Sequence, residues 1–160
     1  MIEWKMPALV AAAVGSGVMA GFFFSFSNTI MSSLGKLPPQ QGIDAMNHIN
    51  VVVINPLFMR AFLGTGLLGL VLGGAAAFRM AAPSSLLVLV ASVVYVAGCI
   101  GVTMVANVPL NNALAAMGSQ APGSAALWAT YLSRWTLWNH VRTLASLAST
   151  VLFILAARKA

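Results

Sequence analysis

Long apolar stretches, separated by short polar connections, dominate the chain. Uncharged runs predict transmembrane helices over residues of about 7–28, 56–78, 85–107 and 133–157, because roughly 20 apolar residues suffice to cross a bilayer. The first run is longer than the apolar core of a signal peptide, which favours a retained helix. The pattern therefore predicts an all-α fold: an integral membrane four-helix bundle that forms one transmembrane domain over residues 1–160.

Prolines mark the connections between these spans. The pair at Pro38–Pro39 ends the first span, because proline lacks the backbone N–H and disfavours a helical neighbour. A short interfacial helix is expected over residues of about 40–49, between the first and second spans. The second span begins with a capping Asn55 before a proline. Pro109 is expected to break the third span, and the fourth is expected to begin near Ser133.

Composition and charge support a lipid environment. The chain is 60% hydrophobic and only 6% charged, whereas soluble domains carry about 25% charged residues. The basic residues are spread singly, which excludes a nucleic-acid patch, and Cys99 is the only cysteine, which excludes a disulfide framework. Under the positive-inside rule, four basic residues on one side against two on the other favour cytoplasmic placement of both termini: Lys5, Arg79, Arg158 and Lys159 against Lys36 and Arg134. The expected location is a bacterial inner membrane.

Small residues recur every four positions in the first two spans. They are Ala13, Gly17, Gly21 and Ser25 in the first and Gly69 and Gly73 in the second. Such stripes let helix backbones approach closely where lipid supplies no hydrophobic drive. We expect this packing inside one chain, with a homo-oligomer as the alternative.

Polar residues of the spans gather in one half, next to the two loops predicted to lie outside. They are Asn50, Asn55 and Arg60 around the second helix, Thr103 and Asn107 at the end of the third, and Trp135, Trp138, Asn139, His140 and Arg142 in the fourth. Polar groups at depth are costly and tend to face a bundle interior. Their convergence predicts a cavity that binds a lipophilic small molecule.

Arg142 is the most informative of these residues. It follows Trp135 and Asn139 with helical spacing, and it lies seven residues past Trp135, roughly 10 Å deeper at about 1.5 Å per residue. A guanidinium keeps its charge when buried and must find acceptors, for which Asn55, Asn107 and Asn139 are the expected candidates. On the interfacial helix, Asp44 stands four residues before His48, where a carboxylate can orient an imidazole.

Each candidate also has a structural explanation. Trp135 and Trp138 fit an interfacial aromatic belt. Asn55 and Asn107 fit helix termini, Arg60 fits snorkelling to the interface, His48 fits a loop position and His140 fits an interhelical hydrogen bond. Met19, Phe22 and Phe26 fit ordinary packing.

Four sequence segments resemble the anthrone oxygenase-like family of small four-helix membrane proteins. They are GFFFSFS at 21–27, MNHIN at 46–50 leading to NPLF at 55–58, TMVANVPLN at 103–111 and WTLWNHVR at 135–142. The resemblance implies oxidation of an anthrone to an anthraquinone with molecular oxygen and without a cofactor. It also implies that seven residues occupy motif positions: Asn50, Asn55, Asn107, Asn111, Trp138, Asn139 and Arg142.

The chemistry of an anthrone suggests roles for the candidates. Its methylene is acidic, so an enzyme needs a base and donors that stabilise the enolate oxygen. His48 or His140 is expected to act as the base, with Asn139 and Arg142 among the donors. A non-haem iron set of Asp44, His48 and His140 is the less favoured alternative, because no paired histidine spacing supports it.

Two other function classes fit the same residues. One is a non-catalytic membrane subunit that binds a quinone or a lipid. The other is a small-solute permease, which is disfavoured because the polar residues occupy one half of the bilayer only. The expected partners are therefore a lipophilic small molecule and membrane lipid, and no nucleic acid.

Overall fold

A computed structural model describes residues 5–159. Five helices account for almost all of them: α1 (Met6–Leu34), α2 (Pro39–Val52), α3 (Pro56–Ala77), α4 (Ser85–Met117) and α5 (Ser124–Ala157). All but α2 are long and apolar enough to cross a membrane. The chain is thus an all-α membrane bundle, with a short helix between the first and second spans.

The four long helices form a closed ring. α1 packs against α3 and α5, and α4 completes the ring by packing against the same two helices. Interhelical hydrogen bonds support three of these contacts. The Ser149 hydroxyl donates to the Ala91 carbonyl at 2.9 Å, Tyr95 Oη donates to the Phe62 carbonyl at 3.1 Å, and Thr150 Oγ1 bonds Ser16 Oγ at 3.1 Å.

Glycines allow the close contact between α3 and α4. A Cβ built on Gly73 would lie 2.8 Å from Ser92 Cβ, and one on Gly66 would collide with Ile100. Gly69 lies on the same face, whereas a Cβ on Gly21 would meet nothing within 4 Å. The predicted small-residue packing therefore holds for the second span, but Gly21 does not take part in it.

Three helices continue beyond the ends predicted for them. α4 has 33 residues and α5 has 34, which is about 50 Å each at about 1.5 Å per residue, against about 30 Å of hydrocarbon. The end of α1 also runs to Leu34. Because α4 and α5 are antiparallel neighbours, their extra turns project at the same end of the bundle.

The prediction that Pro109 breaks the third span was wrong. The chain forms π-helical turns at Val96–Gly101 and Thr103–Asn107, and the helix then continues through Pro109 to Met117. A proline inside a helix clashes with the preceding turn, and the wider π turn directly before it makes room. The helix that carries the fourth predicted span begins at Ser124 and not near Ser133, because residues 124–133, of mixed apolar and polar type, form extra helical turns before it.

α2 lies across the projecting ends of α4 and α5. Ile43 and Met46 are buried against Leu114, Trp128 and Tyr131. The α2 backbone touches the indole of Trp128, since a Cβ on Gly42 would lie 2.7 Å from that ring. α2 is therefore a cap that closes this end of the bundle, while an apolar cluster of Leu, Ala, Val and Phe side chains fills the other end.

Candidate functional site

A cavity of about 210 Å³ lies beneath the cap helix α2, inside the ring of long helices. Helices α1 to α5 all contribute to its wall. Its polar lining consists of Asn50, Thr103, Asn107, Asn111, Trp135 and Arg142, and its apolar lining is dominated by Phe22, Phe23, Phe26, Phe58 and Phe62. These are the side chains that a ligand in this cavity would touch.

Arg142 lies at the closed end of the cavity and is only 5% exposed. Its guanidinium carbon sits 4.2 Å from the centroid of the Phe23 ring and 4.9 Å from that of Trp135. Stacking between two aromatic faces stabilises a cation through cation–π attraction. The Arg142 Nη1 atom donates to Thr103 Oγ1 at 3.3 Å.

Asn139 holds the other side of the guanidinium. Its Oδ1 accepts from Arg142 Nη2 at 2.5 Å, and its Nδ2 donates to the Phe23 carbonyl and to Ser27 Oγ, both at 2.6 Å. Asn139 is buried but does not line the cavity. Its bonds to α1 fix the amide, and the amide in turn fixes the orientation of Arg142.

Neutral groups accept the hydrogen bonds of the Arg142 guanidinium. Among residues 5–159 the only acidic residue is Asp44, which lies exposed on α2. The acceptors predicted for Arg142 were Asn55, Asn107 and Asn139, and only Asn139 bonds it; Thr103 supplies the second acceptor. A cation satisfied by neutral dipoles leaves positive potential in a water-poor space.

Asn111 is fixed by two donors from α5. Its Oδ1 accepts from Tyr131 Oη at 2.8 Å and from Trp135 Nε1 at 2.9 Å. Because an indole N–H can only donate, these bonds determine which end of the amide is the oxygen. Asn111 therefore keeps its NH₂ group for other partners.

Several polar atoms in the cavity wall have no hydrogen-bond partner within the described part of the chain. They are Asn50 Nδ2, Asn107 Oδ1 and Arg142 Nε. Buried polar atoms are nearly always hydrogen-bonded, so unpaired ones that share a cavity wall suit a ligand with polar atoms of its own. Two of the three are donors, which favours a ligand oxygen.

π-helical turns occur where the long helices border the cavity. Phe26 begins the π turn Phe26–Ile30 in α1, and Thr103 and Asn107 are the ends of the π turn in α4. All three residues line the cavity. A π turn shifts the rotational phase of a helix and is frequent at functional sites, so these turns bring side chains to the cavity that regular helices would point elsewhere.

The aromatic wall was missed by the sequence interpretation. Phe22 and Phe26 were interpreted as packing residues, yet both line the cavity, with Phe22 centred 5.0 Å from Phe58. Phe58 in turn stacks on Phe62 with centroids 5.6 Å apart and planes tilted by only 15°. The clustering of Phe22, Phe23 and Phe26 in the GFFFSFS segment was a weak indication of an aromatic site. A sequence does not distinguish aromatic residues of a core from those of a ligand site.

The structure brings six of the predicted site residues to the cavity, and the other six lie elsewhere. Asn50, Thr103, Asn107, Asn111, Trp135 and Arg142 line it. Asn139 lies behind Arg142, whereas Asn55, Arg60, Trp138, His48 and His140 are exposed outside the wall.

Asn55 has a structural role at the junction of α2 and α3. Its Oδ1 caps α3 by accepting from the N–H groups of Leu57 and Phe58 at 3.1 and 3.0 Å. Its Nδ2 donates to the Val52 carbonyl of α2 at 3.1 Å. One side chain thus forms hydrogen bonds with backbone groups at the end of α2 and at the start of α3.

Neither histidine faces the cavity. His48 Nδ1 lies 2.7 Å from the backbone carbonyl of Asp44, so the predicted contact with the Asp44 carboxylate is replaced by a contact with the main chain. His140 lines an open groove between α1 and α5, on another side of the bundle. Within residues 5–159, no group of three His, Cys, Asp or Glu residues could hold a metal ion, so Asp44, His48 and His140 do not form the alternative iron site.

Comparison with known proteins agrees with this arrangement. The sequence model of the family described as anthrone oxygenase matches residues 58–152, which is more than half of the chain. The match includes Thr103, Asn107, Asn111, Trp135, Asn139 and Arg142. No curated protein and no solved structure matches the chain. Since this match covers more than half of the chain, and the structure has four helices long and apolar enough to cross a membrane, the chain belongs to the anthrone oxygenase family.

Proposed function

We propose that the protein is a membrane oxygenase that oxidises a planar, lipophilic aromatic ketone of the anthrone type with molecular oxygen. The observation that carries the proposal is Arg142, a buried cation without a carboxylate partner among residues 5–159, at the closed end of an aromatic cavity. Positive potential in a water-poor site stabilises an anion that forms during the reaction.

The size and lining of the cavity support a compact flat ligand. About 210 Å³ is below the roughly 300–1,000 Å³ of drug-sized sites. Phe22, Phe26 and Phe58 offer ring faces and edges to an aromatic ligand. Arg142 and Asn50 then supply donor side chains on the wall for its oxygen atom.

The proposed chemistry begins with loss of a proton from the substrate methylene. The resulting enolate places its negative oxygen near Arg142, and the enolate carbon donates electrons to O₂ and forms a C–O bond. Protonation gives a hydroperoxide, and loss of water from the hydroperoxide and the remaining C–H leaves a carbonyl group. The sum is anthrone plus O₂ giving anthraquinone plus water.

The cavity wall supports anion stabilisation better than general-base catalysis. Within the described chain its lining contains no histidine, lysine or carboxylate. We therefore propose that Arg142 lowers the free energy of the enolate enough for water to accept the proton, which replaces the expected role of His48 or His140 as the base. Because the enolate itself reduces oxygen, the proposal requires no redox cofactor.

Metal analysis tests the proposal that the reaction requires no redox cofactor. Purified, active protein should contain substoichiometric iron and copper, and treatment with a chelator should leave its turnover unchanged. One equivalent of iron lost together with the activity would contradict a cofactor-independent reaction.

Isotope labelling tests the proposed reaction. Protein in lipid nanodiscs would be incubated with anthrone under ¹⁸O₂, and the product would be analysed by mass spectrometry, with empty nanodiscs as the control for spontaneous oxidation. We expect accelerated formation of anthraquinone that carries one labelled oxygen. Product formed no faster than in the empty nanodiscs would contradict the proposal.

The lack of a histidine, lysine or carboxylate in the described cavity lining also favours a second function. A cavity with aromatic walls, oriented amide groups and an arginine can hold a quinone without reacting with it. Under this alternative, the protein is a quinone-binding membrane subunit. Stoichiometric binding of anthraquinone, without anthrone oxidation above background, would support it against the oxygenase.

A further inference from the structure

The lining of the cavity differs between its two ends. Asn107, Trp135 and Arg142 are buried at one end. At the other end, Ile54 is 70% exposed and Met104 is 60% exposed, yet both line the cavity together with half-buried Met59. The cavity therefore opens to the outside through an apolar mouth, defined by Ile54, Met59 and Met104, between the α2–α3 turn and the π turn of α4.

The surroundings of this mouth are apolar as well. Val52, Leu57 and Val105 are 71, 78 and 77% exposed. Met104 lies 19 residues (104 − 85) after the start of α4, which is about 29 Å at about 1.5 Å per residue. This equals the thickness of a hydrocarbon core, about 30 Å, so the mouth faces the acyl chains close to their boundary with the headgroups.

We propose that the mouth is a lateral entrance through which a membrane-dissolved, uncharged planar aromatic passes directly from lipid into the cavity. The proposal rests on the proposed function and adds the route and the physical state of the substrate. Asn55 shapes one side of the mouth by joining α2 to α3, and the π turn of α4 shapes the other.

The chemistry of the mouth selects for neutral molecules. Ile54, Met59 and Met104 offer no hydrogen-bond donor to an anion, and transfer of an unpaired charge through such a surface is very costly. The substrate therefore crosses the mouth as the ketone and becomes an enolate only beside Arg142. A sulfonated anthraquinone should not enter, although its ring system has the same width.

Binding kinetics test this route with matched variants. Association of a dihydroxyanthraquinone dye with the full chain in nanodiscs would be followed by the visible absorbance of the dye. Met104→Trp narrows the mouth, and Val105→Trp adds the same ring to the neighbouring lipid-facing position outside the cavity wall. Ile54→Trp and Val52→Trp form a second pair on the opposite side of the mouth.

We expect Met104→Trp and Ile54→Trp to slow both association and dissociation by about tenfold or more with a smaller change in Kd, because a narrowed passage acts on rates. Equal rates in both members of each pair, or association of a sulfonated anthraquinone as fast as that of the uncharged dye, would overturn the lateral route while binding itself persists. No dye binding to the unaltered protein would overturn the proposed function as well.

Discussion

At the scale of single residues, the chemistry of the cavity depends on how one guanidinium is held. Arg142 is stacked between Phe23 and Trp135 and fixed by Asn139, whose own amide is anchored to α1. The bonds that orient it use Nη1 and Nη2 and leave Nε without a partner in the described chain. Asn139 is thus a positioning residue that acts through Arg142.

Exchange of Asn139 for aspartate should neutralise the cavity. Asn139→Asp keeps an acceptor for Arg142 but adds a negative charge beside it and removes the Nδ2 donor to Phe23 and Ser27. Both the potential available to an enolate and the anchoring of residue 139 to α1 are therefore reduced. We expect turnover of anthrone to fall by on the order of tenfold or more, whereas binding of neutral anthraquinone should change less. Asn112→Asp, which adds the same charge at an exposed position of α4, is the matched control. Equal losses in both variants, or none in Asn139→Asp, would contradict the positioning role.

At the scale of helices, capping and close packing set the geometry of the site. Asn55 joins α2 to α3, and Gly73 brings α3 against α4. Neither residue touches the cavity, yet both fix helices whose side chains line it. Each therefore gives a prediction about stability in detergent micelles, where thermal unfolding can be followed by circular dichroism.

The cap prediction concerns Asn55. Asn55→Ala removes the acceptor for two N–H groups of α3 and should lower the free energy of unfolding by about 0.5–2 kcal/mol. Asn55→Asp retains that acceptor and should lose less. If the two variants unfold at the same lowered temperature, the acceptor is not the source of the stabilisation.

The packing prediction compares two adjacent glycines of α3. Alanine is favoured over glycine in a helix by about 1 kcal/mol, so Gly74→Ala, whose Cβ would meet nothing within 4 Å, should raise Tm or leave it unchanged. Gly73→Ala would place a Cβ 2.8 Å from Ser92 Cβ and should lower Tm. A higher Tm for both variants would show that α3 and α4 are not in close contact.

The regular periodicity of α5 explains which site residues could be predicted from the sequence. Trp135, Asn139 and Arg142 were found because one regular helix places them on one narrow face. Trp138 lies about 60° to one side of Trp135 on that helix, and the structure leaves it facing outward. Helical periodicity therefore predicts which face of a helix points inward, but it does not predict how far around the helix that face extends.

Other features depended on contacts between helices. The rotation of α2 turns Ile43, Met46 and Asn50 towards the bundle, so Asp44 and His48 face away from it. The π turns changed the phase of α4 and carried it through Pro109. Neither effect can be read from local propensity, because both are set by tertiary packing.

At the scale of the whole molecule, the bundle is divided along its length. One end is filled by an apolar cluster, and the other holds the cavity under the cap of α2. Lys36, Arg60 and Arg134 lie towards the capped end, whereas Lys5, Arg79, Arg158 and Lys159 lie at the apolar end. We propose that the apolar end, with both termini, faces the cytoplasm of a bacterial inner membrane, in accord with the positive-inside rule.

Reporter fusions test this orientation. Fusions at Lys36, Pro83, Gly123 and the C-terminus should report outside, inside, outside and inside, in that order, because four spans alternate across the membrane. The reverse order would keep the fold but place the cavity at the cytoplasmic face. Any pattern that does not alternate would contradict the four-span topology.

Oxygen consumption by the purified protein in nanodiscs with anthrone measures the proposed reaction itself. We expect uptake of one O₂ per anthrone, well above that of empty nanodiscs. Arg142→Lys keeps a cation but loses the planar fork, and should reduce the rate by about 10²- to 10³-fold. Arg60→Lys, at an exposed position outside the cavity wall, should leave it unchanged. Uptake that is equal in the unaltered protein and in a folded Arg142→Lys variant would show that Arg142 does not stabilise the enolate.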